Sequence, residues 1–521
     1  MLSRLASMLF NISPPMVPPP PGMRIVPCSP LDDSGPREWI MTVGLVVPTQ
    51  LDPRKLEESL LKVIEHKFPR AGARLALRNG IYEYQIPEKF DASTPGAIFS
   101  VECHLEPCPE RSKILLPTLS GLSESEPTFI VPSTLDMDSL FLGETSPRTI
   151  SAFLQPNVPL MHVHLITYTD LTLIGVTLPH IAFDGLGVGT MITAWTRVLN
   201  GADIESISGM PWDMQPFENF FPESGVGRQL RPARGWLNAG WFGWMPFVSK
   251  LVWEKIQDPT ERMCFARLPK GFLDEIKKQI MSELRAQGST DYVGSSDVLL
   301  AWWIKLMYDH RPPSAAPLCV HMAVNFRSLP IFGGNNTPLI TPYIHNAFGT
   351  YGGLTIPIST LQAESLAQVA LRIRRGILAY NADPEAIRDD LAWTFANKDK
   401  FILPCPPCGD FNLTSNLRAV GLGNADFSGA AVGTDSEDPR PRIGQDGDST
   451  VQEKGGENKA KVAFVYCVTS STQFLPMRHF SLFLMEDKEA IWMSKICGDG
   501  EIESIAQRAS RSEGGVEFIY I

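Results

Sequence analysis

Hydrophobic residues recur along this chain with two different periods. Leu56, Leu60, Ile64 and Phe68 repeat at helical spacing, and Pro53 ahead of them sits where a missing N–H costs little, so the pattern predicts a helix over Pro53–His66. Dense apolar runs predict strands at Trp39–Val47, Leu160–Tyr168 and Thr172–Leu178, the last two joined by a turn at Asp170. Pro179 ends that ladder because it has no N–H to donate, and Leu186–Leu199 then reads as a helix. The segment His180–Gly185 is thereby placed at a strand end before a helix, where sheet proteins often bind ligands.

The second half carries a helix at Phe272–Glu283 and a buried one over Val298–Met307, capped by Ser295-Ser296-Asp297. A strand at Leu318–Asn325, a Gly/Asn/Pro loop over Pro330–Pro342 and a long helix at Leu361–Tyr380 follow. Val462–Thr469, Phe480–Met485 and Ile491–Ile496 close the chain as strands. Residues 112–158 are rich in Pro, Ser and Thr and read as loop, and residues 431–461 read as a disordered polar insertion. Trp212, Trp236, Trp241, Trp244 and Trp253 fall in a crossover segment. They are expected to pack along the two halves in preference to forming a membrane-touching or substrate-gating patch. The division that results is an N-terminal domain over 1–205, a crossover over 206–262 and a C-terminal domain over 263–521.

A length of 521 residues suits two large domains rather than one core. The net charge of −11 argues against nucleic acid, which needs a basic footprint, while leaving room for an anionic co-substrate held by local cations. Of nine cysteines only Cys405-Pro-Pro-Cys408 is closely spaced, and a zinc ribbon needs a second such pair. The cysteines therefore read as free thiols of a reducing compartment. The apolar stretch within Met1–Phe10 is short for a secretion signal, and no run is long enough to span a membrane, so a cytoplasmic location is expected. The sequons at Asn11, Asn335 and Asn412 then read as chance. His162 and His164 share a strand face without an evident third ligand, so packing is favoured over a metal site, and no metal is expected. Gly185-Leu-Gly187-Val-Gly189 is an incomplete dinucleotide loop, and Ser295 and Ser296 lack a nucleophile elbow.

The segment His180-Ile-Ala-Phe-Asp184-Gly185 carries the candidate chemistry. An imidazole with an ordinary pKa of about 6.5 is suited to take a proton from an attacking hydroxyl or amine. Asp184, four residues on, shares a face with His180 if the turn is helical, and otherwise caps or pairs with a cation. Gly185 and Gly187 permit a tight backbone.

The surrounding order of motifs resembles the BAHD acyltransferase family in its fungal branch, over roughly residues 27–500. The resemblance rests on Ser29-Pro30-Leu31-Asp32, on Phe68-Pro69-Arg70-Ala71-Gly72, and on the hairpin entering HxxxDG. It continues in Ser296-Asp297-Val298-Leu299, Asn325-Phe326-Arg327, Tyr343-Ile344-His345-Asn346, Thr414-Ser415-Asn416 and Asp426-Phe427-Ser428-Gly429-Ala430. It implies a mixed α/β fold of two pseudo-symmetric domains like chloramphenicol acetyltransferase, each a mixed sheet flanked by helices, with a channel between them. His180 would be the general base, and Asp184 would pair with Arg327 to fix the loop. Thr414 and Asn416 would lie on the acceptor and oxyanion side, and Ser295, Ser296 and Asp426 near the co-substrate. Asn416 replaces the usual tryptophan, and 426–430 lacks two usual residues.

The implied activity is transfer of an acyl group, most often acetyl, from acyl-CoA to a hydroxyl of a small secondary metabolite. Acyl-CoA would be a co-substrate, with no permanently bound cofactor, and family analogy suggests a monomer. Amide formation, a CoA-independent condensation or cyclisation, and a non-catalytic small-molecule-binding homologue stay open as alternatives.

Overall fold

The structure is a computed structural model describing residues 18, 20–33, 36–132, 136–217, 234–329, 331, 342–397, 400, 402–432, 460–471, 477–509 and 515–521. The leader, the sequons at Asn11 and Asn335, and nearly all of the 431–461 insertion lie outside them. Asn412 is 1% exposed within a strand. The nine cysteines are free thiols, and no helix among the described residues is long and apolar enough to cross a membrane.

A five-stranded sheet runs in the order Phe464–Ser471, Trp39–Val47, Thr172–Pro179, His162–Thr167, Ile98–Cys103. Its middle strands are buried from Ile40 to Val47 and from Thr172 to Pro179, which is why they read as continuous apolar runs instead of alternating ones. Their antiparallel register pairs Ile40 with Pro179 and so brings Trp39 level with His180. The backbone N–H of His180 donates to the Trp39 carbonyl at 2.8 Å.

Helix Pro53–Lys67, capped by Asp52, buries Leu56, Leu60, Val63 and Ile64. It packs on helix Gly185–Leu199, where Trp195 Nε1 donates to the Leu56 carbonyl and the Ser59 hydroxyl, each at 3.0 Å. A three-stranded sheet of Met23–Pro27, Ile81–Pro87 and Arg74–Arg78 adjoins this layer.

The second sheet is eight-stranded, in the order Phe348–Pro357, Pro317–Asn325, Asp410–Asn416, Phe480–Glu486, Ala490–Cys497, Arg262–Pro269, Thr128–Val131, Glu517–Tyr520. Helices Lys270–Ala286, Ser295–Tyr308 and Leu366–Asn381 pack together beside it.

Several expectations are corrected here. The 112–158 region is not all loop: it holds helices Met137–Phe141 and Ile150–Phe153 and the buried strand Thr128–Val131. That strand belongs to the eight-stranded sheet, while Phe464–Ser471 crosses back into the five-stranded one. The sheets therefore do not follow a division of the chain at 205 and 263. A four-residue strand with only three apolar residues, between Pro/Ser-rich stretches, carries too little periodicity to stand out. The helix expected over Leu361–Tyr380 is two, Ile358–Ala363 and Leu366–Asn381. Ser365 starts the second with a capping box to Gln368.

The crossover contributes helix Gly240–Gln257, whose Phe247 and Leu251 pack with Cys319, Leu403, Cys405 and Phe411. Its tryptophans divide. Trp236 donates to Thr350 Oγ1 at 3.1 Å, and Trp244 packs against the same small core. Trp253 is 61% exposed, and Phe242 on the same helix 82%. Packing thus accounts for only part of the cluster.

Candidate active site at the His180 turn

Residues 180–184 form a turn, and the helix starts only at Gly185, so His180 and Asp184 are not one helical face apart. Asp184 is the N-cap: its Oδ1 accepts from the Gly187 N–H at 2.8 Å. The same carboxylate faces Arg327 squarely, with Nη1 to Oδ2 and Nη2 to Oδ1 both at 2.9 Å, a bidentate geometry. Oδ2 also accepts from the Ala347 N–H at 3.0 Å. Both partners are buried. The remaining donors of Arg327 go to the Tyr343 and His345 carbonyls and to Asn325 Oδ1, at 2.9, 2.7 and 3.3 Å. The guanidinium is fully satisfied, which a buried cation requires.

The carbonyls of the turn are held as tightly. Asn346 Nδ2 lies 2.9 Å from the His180 carbonyl and 3.0 Å from that of Ile181. His345 Nδ1 meets the Ala182 carbonyl at 2.6 Å, with its ring stacked on Tyr84 at 4.5 Å. Asn346 is itself fixed by Asp32, whose Oδ1 accepts from the Asn346 backbone and side chain, each at 3.1 Å. Burial pushes the Asp32 carboxyl up to about 6, although hydrogen bonds from Ser29 and Asn346 oppose the rise.

Gly187 is required by close approach and not by its dihedrals, since a Cβ there would stand 1.8 Å from the Ile344 carbonyl. At Gly185 a Cβ would meet only the tip of Leu417, at 3.0 Å.

Asp32 and Asn346 were legible only as parts of motifs, without roles, and Ala347 was not singled out at all. What unites them is the fold, which brings Asp32, Arg327 and residues 345–347 from three distant segments against one turn.

The imidazole of His180 is partly exposed. Aromatic rings surround it: Trp39 edge-on at 6.2 Å and Phe348 at 5.6 Å, with Phe480 edge-on to Trp39 at 5.0 Å. Burial pushes its pKa below the ordinary histidine value, against the opposing pull of its own carbonyl, Asp184 and Asn346. The ring is therefore neutral near pH 7 and able to accept a proton.

Thr414 is buried next to this corner, its hydroxyl donating to Asn412 Oδ1 at 2.8 Å. It is in register with Ser481, the neighbour of Phe480. Asn416 is exposed, and its Oδ1 accepts from the backbone and Nε of Arg418, each at 3.2 Å.

Ser296 Oγ receives Arg418 Nη2 at 2.9 Å, and Ser295 Oγ receives Lys277 Nζ at 3.3 Å. Asp426 is not brought to these serines. It lines an open cavity of about 570 Å³ with Thr193, Arg197 and Asn424, at the C-terminal end of the helix that begins beside His180.

His164 binds Ser100 Oγ at 2.8 Å, and His162 stands edge-on to Phe153 at 5.7 Å. Among the described residues no group of three His, Cys, Asp or Glu is placed to hold a metal.

No family model matches the chain. The solved structure of TRI101 from F. graminearum, complexed with ethyl coenzyme A, superposes with a TM-score of 0.61 over 94% of this chain and 98% of its own, at 14% identity. The O-acyltransferase pboC of Aspergillus ustus is 28% identical over 342 residues, 63% of this chain and 68% of that protein. The chain has the BAHD acyltransferase fold and is similar in sequence to fungal proteins named as acyltransferases. A further relative, named transcriptional regulator calD, from Penicillium decumbens, is 28% identical over 379 residues, 71% of this chain and 74% of that one.

Proposed function

We propose that the protein transfers an acyl group from acyl-CoA to a hydroxyl of a small secondary metabolite, with His180 as general base. The observation that carries the reading is the His180 turn itself: a neutral imidazole whose backbone is clamped by Asn346, His345 and the Asp184–Arg327 pair. A base held this rigidly meets its substrate without reorganising, which is where positioning lowers a barrier. The relative named O-acyltransferase and the coenzyme A in the TRI101 structure support the substrate class.

The acceptor hydroxyl gives its proton to the imidazole as its oxygen bonds to the acyl carbon. The C–S bond then breaks, and the proton passes to the leaving thiolate. Arg327 and Asp184 act on the turn and touch no reacting atom. Thr414 lies on the acceptor side. Ser295 and Ser296, with Lys277 and Arg418, offer hydroxyls and cations to the phosphates of CoA at the start of helix Ser295–Tyr308. The regulator name of calD is not carried over, because a net charge of −11 gives no basic footprint for nucleic acid.

The test pairs calorimetric titration of the purified chain with acetyl-CoA and turnover of the His180→Ala variant on a panel of alcohols. One site per chain and a loss of turnover of about 10²–10⁴-fold are expected. A folded His180→Ala protein with normal turnover would refute the base.

A further inference from the structure

One requirement of acyl transfer has no group assigned to it. As the acceptor adds, the thioester carbonyl oxygen becomes negative and needs a fixed donor. Asn416, at the position where a tryptophan was expected, is exposed and its carbonyl oxygen is engaged by Arg418. Trp39 offers a buried donor, which the exposed Asn416 does not. Its Nε1 is buried and has no hydrogen-bond partner among the described residues. A tryptophan N–H is a donor only, and a buried one ordinarily finds an acceptor. Trp195, Trp236 and Trp492 here all do. Trp303 shares the orphaned N–H, but it sits on helix Ser295–Tyr308 against Trp302.

The indole of Trp39 is edge-on to His180 and to Phe480, so it stands at the corner where both sheets reach the imidazole. The Trp39 carbonyl also accepts from the His180 N–H at 2.8 Å. One backbone contact thus fixes base and indole relative to each other.

We infer that Trp39 is a catalytic residue whose indole N–H receives the oxyanion of the tetrahedral adduct, in place of a donor at position 416. The inference rests on His180 acting as the base. The acceptor oxygen bonds to the acyl carbon and its proton moves to His180, while the carbonyl π pair moves onto oxygen and is met by the Trp39 N–H. Collapse restores the carbonyl, breaks the C–S bond and returns the proton to the thiolate. Nothing is oxidised or reduced.

The experiment follows thiol release from acetyl-CoA with water as acceptor, which passes through the same kind of adduct. It compares the full-length wild type, His180→Ala, Trp39→Phe and Trp39→His. Phenylalanine keeps a ring against Phe480 but removes the donor together with the second ring of the indole, whereas histidine, no larger, restores a ring N–H. Trp39→Phe is expected to lower kcat by about 10²–10³-fold with little change in KM, and Trp39→His to recover part of it. If Trp39→Phe does not fold, benzothienylalanine at position 39, which replaces the N–H by sulfur, makes the same comparison. A Trp39→Phe rate within threefold of wild type, with His180→Ala inactive, overturns the role of Trp39 and leaves the base standing. Equal rates in wild type and His180→Ala, zero included, overturn the general-base reading and this inference with it.

Discussion

Removing Arg327 is the most direct way to ask whether the His180 turn is held from below. Arg327→Met keeps much of the volume but leaves the Asp184 carboxylate buried without its bidentate partner. Two N–H donors, from Gly187 and Ala347, remain on that carboxylate, so it is not stripped of hydrogen bonds. Breaking one side of a buried pair costs about 3–5 kcal/mol. The entropy of unfolding is about 2.1 cal/mol/K per residue, or about 1.1 kcal/mol/K for a chain of 521 residues melting as one unit. The expected loss is therefore about 3–5 °C in Tm, read by scanning calorimetry. Turnover should fall as well, because the turn loses its anchor, while KM for acetyl-CoA stays near wild type. The double variant Asp184→Leu/Arg327→Met separates the two effects. Apolar groups of similar volume can replace the ion pair itself without loss of stability, but the Gly187 and Ala347 N–H groups lose their acceptor, so Tm should recover only in part while turnover stays low. An Arg327→Met protein with unchanged Tm and unchanged kcat would refute the reasoning.

Further predictions concern the clamp and the pH profile. Asn346→Ala removes the side-chain amide that donates to the His180 and Ile181 carbonyls and to Asp32, which keeps the Asn346 backbone N–H. A cost of about 1–3 kcal/mol and a lower kcat are expected, and a variant equal to wild type in urea melts and turnover would sink the proposed clamp. Because burial lowers the His180 pKa, kcat/KM should be flat at neutral pH and fall with acid through a pKa below 6.5; a fitted value above 6.5 contradicts the assignment. Burial also pushes His162 and His321 down to about 4. The unfolded chain takes up protons at these histidines below about 6.5, so their contribution to stability is complete above that pH and is lost between 6.5 and 4. His162→Phe should flatten that part of the Tm-versus-pH curve, and an unaltered slope would show that His162 is not the group responsible.

Elements that bury a regular face were readable from the chain alone. The helix Pro53–Lys67 repeats its apolar residues every turn, and the strands Trp39–Val47 and Thr172–Pro179 are apolar but for Thr42, Thr172 and Thr177. The position of His180 between a strand and a helix follows from Pro179 and the apolar run after Gly185. What could not be read is pairing across long separations. Nothing local in Asp32 announces that it would bind Asn346, 314 residues away, and nothing local in Thr128–Val131 selects the far sheet. Asp426 stands in a motif in correct order, yet the fold carries it to the far end of the helix. Order along the chain constrains topology, but a side chain's neighbours are decided by packing. Trp39 illustrates this: as the first residue of a strand it reads as core, and only the register with Pro179 puts its indole beside the imidazole.

The exchanged strands bear on whether either half can stand alone. A fragment ending at 205 keeps His180, Asp184 and the hairpin before them, but lacks Phe464–Ser471, which pairs with Trp39–Val47 along its whole length. That strand, buried from Ile40 to Val47, would become an open, apolar edge, a template for aggregation. The fragment also lacks Arg327, His345 and Asn346, so the Asp184 carboxylate keeps only the Gly187 N–H of its donors and the His180 and Ala182 carbonyls lose theirs. The complementary fragment from 263 lacks Thr128–Val131 and leaves Glu517–Tyr520 with no strand to join. Each piece alone is therefore expected to be insoluble or unfolded by near-UV circular dichroism, and co-expression of the two should restore a folded complex. A soluble fragment 1–205 with a cooperative melt would show that the N-terminal sheet is stable without its borrowed strand, and that the coupling between the two sheets at His180 serves positioning alone.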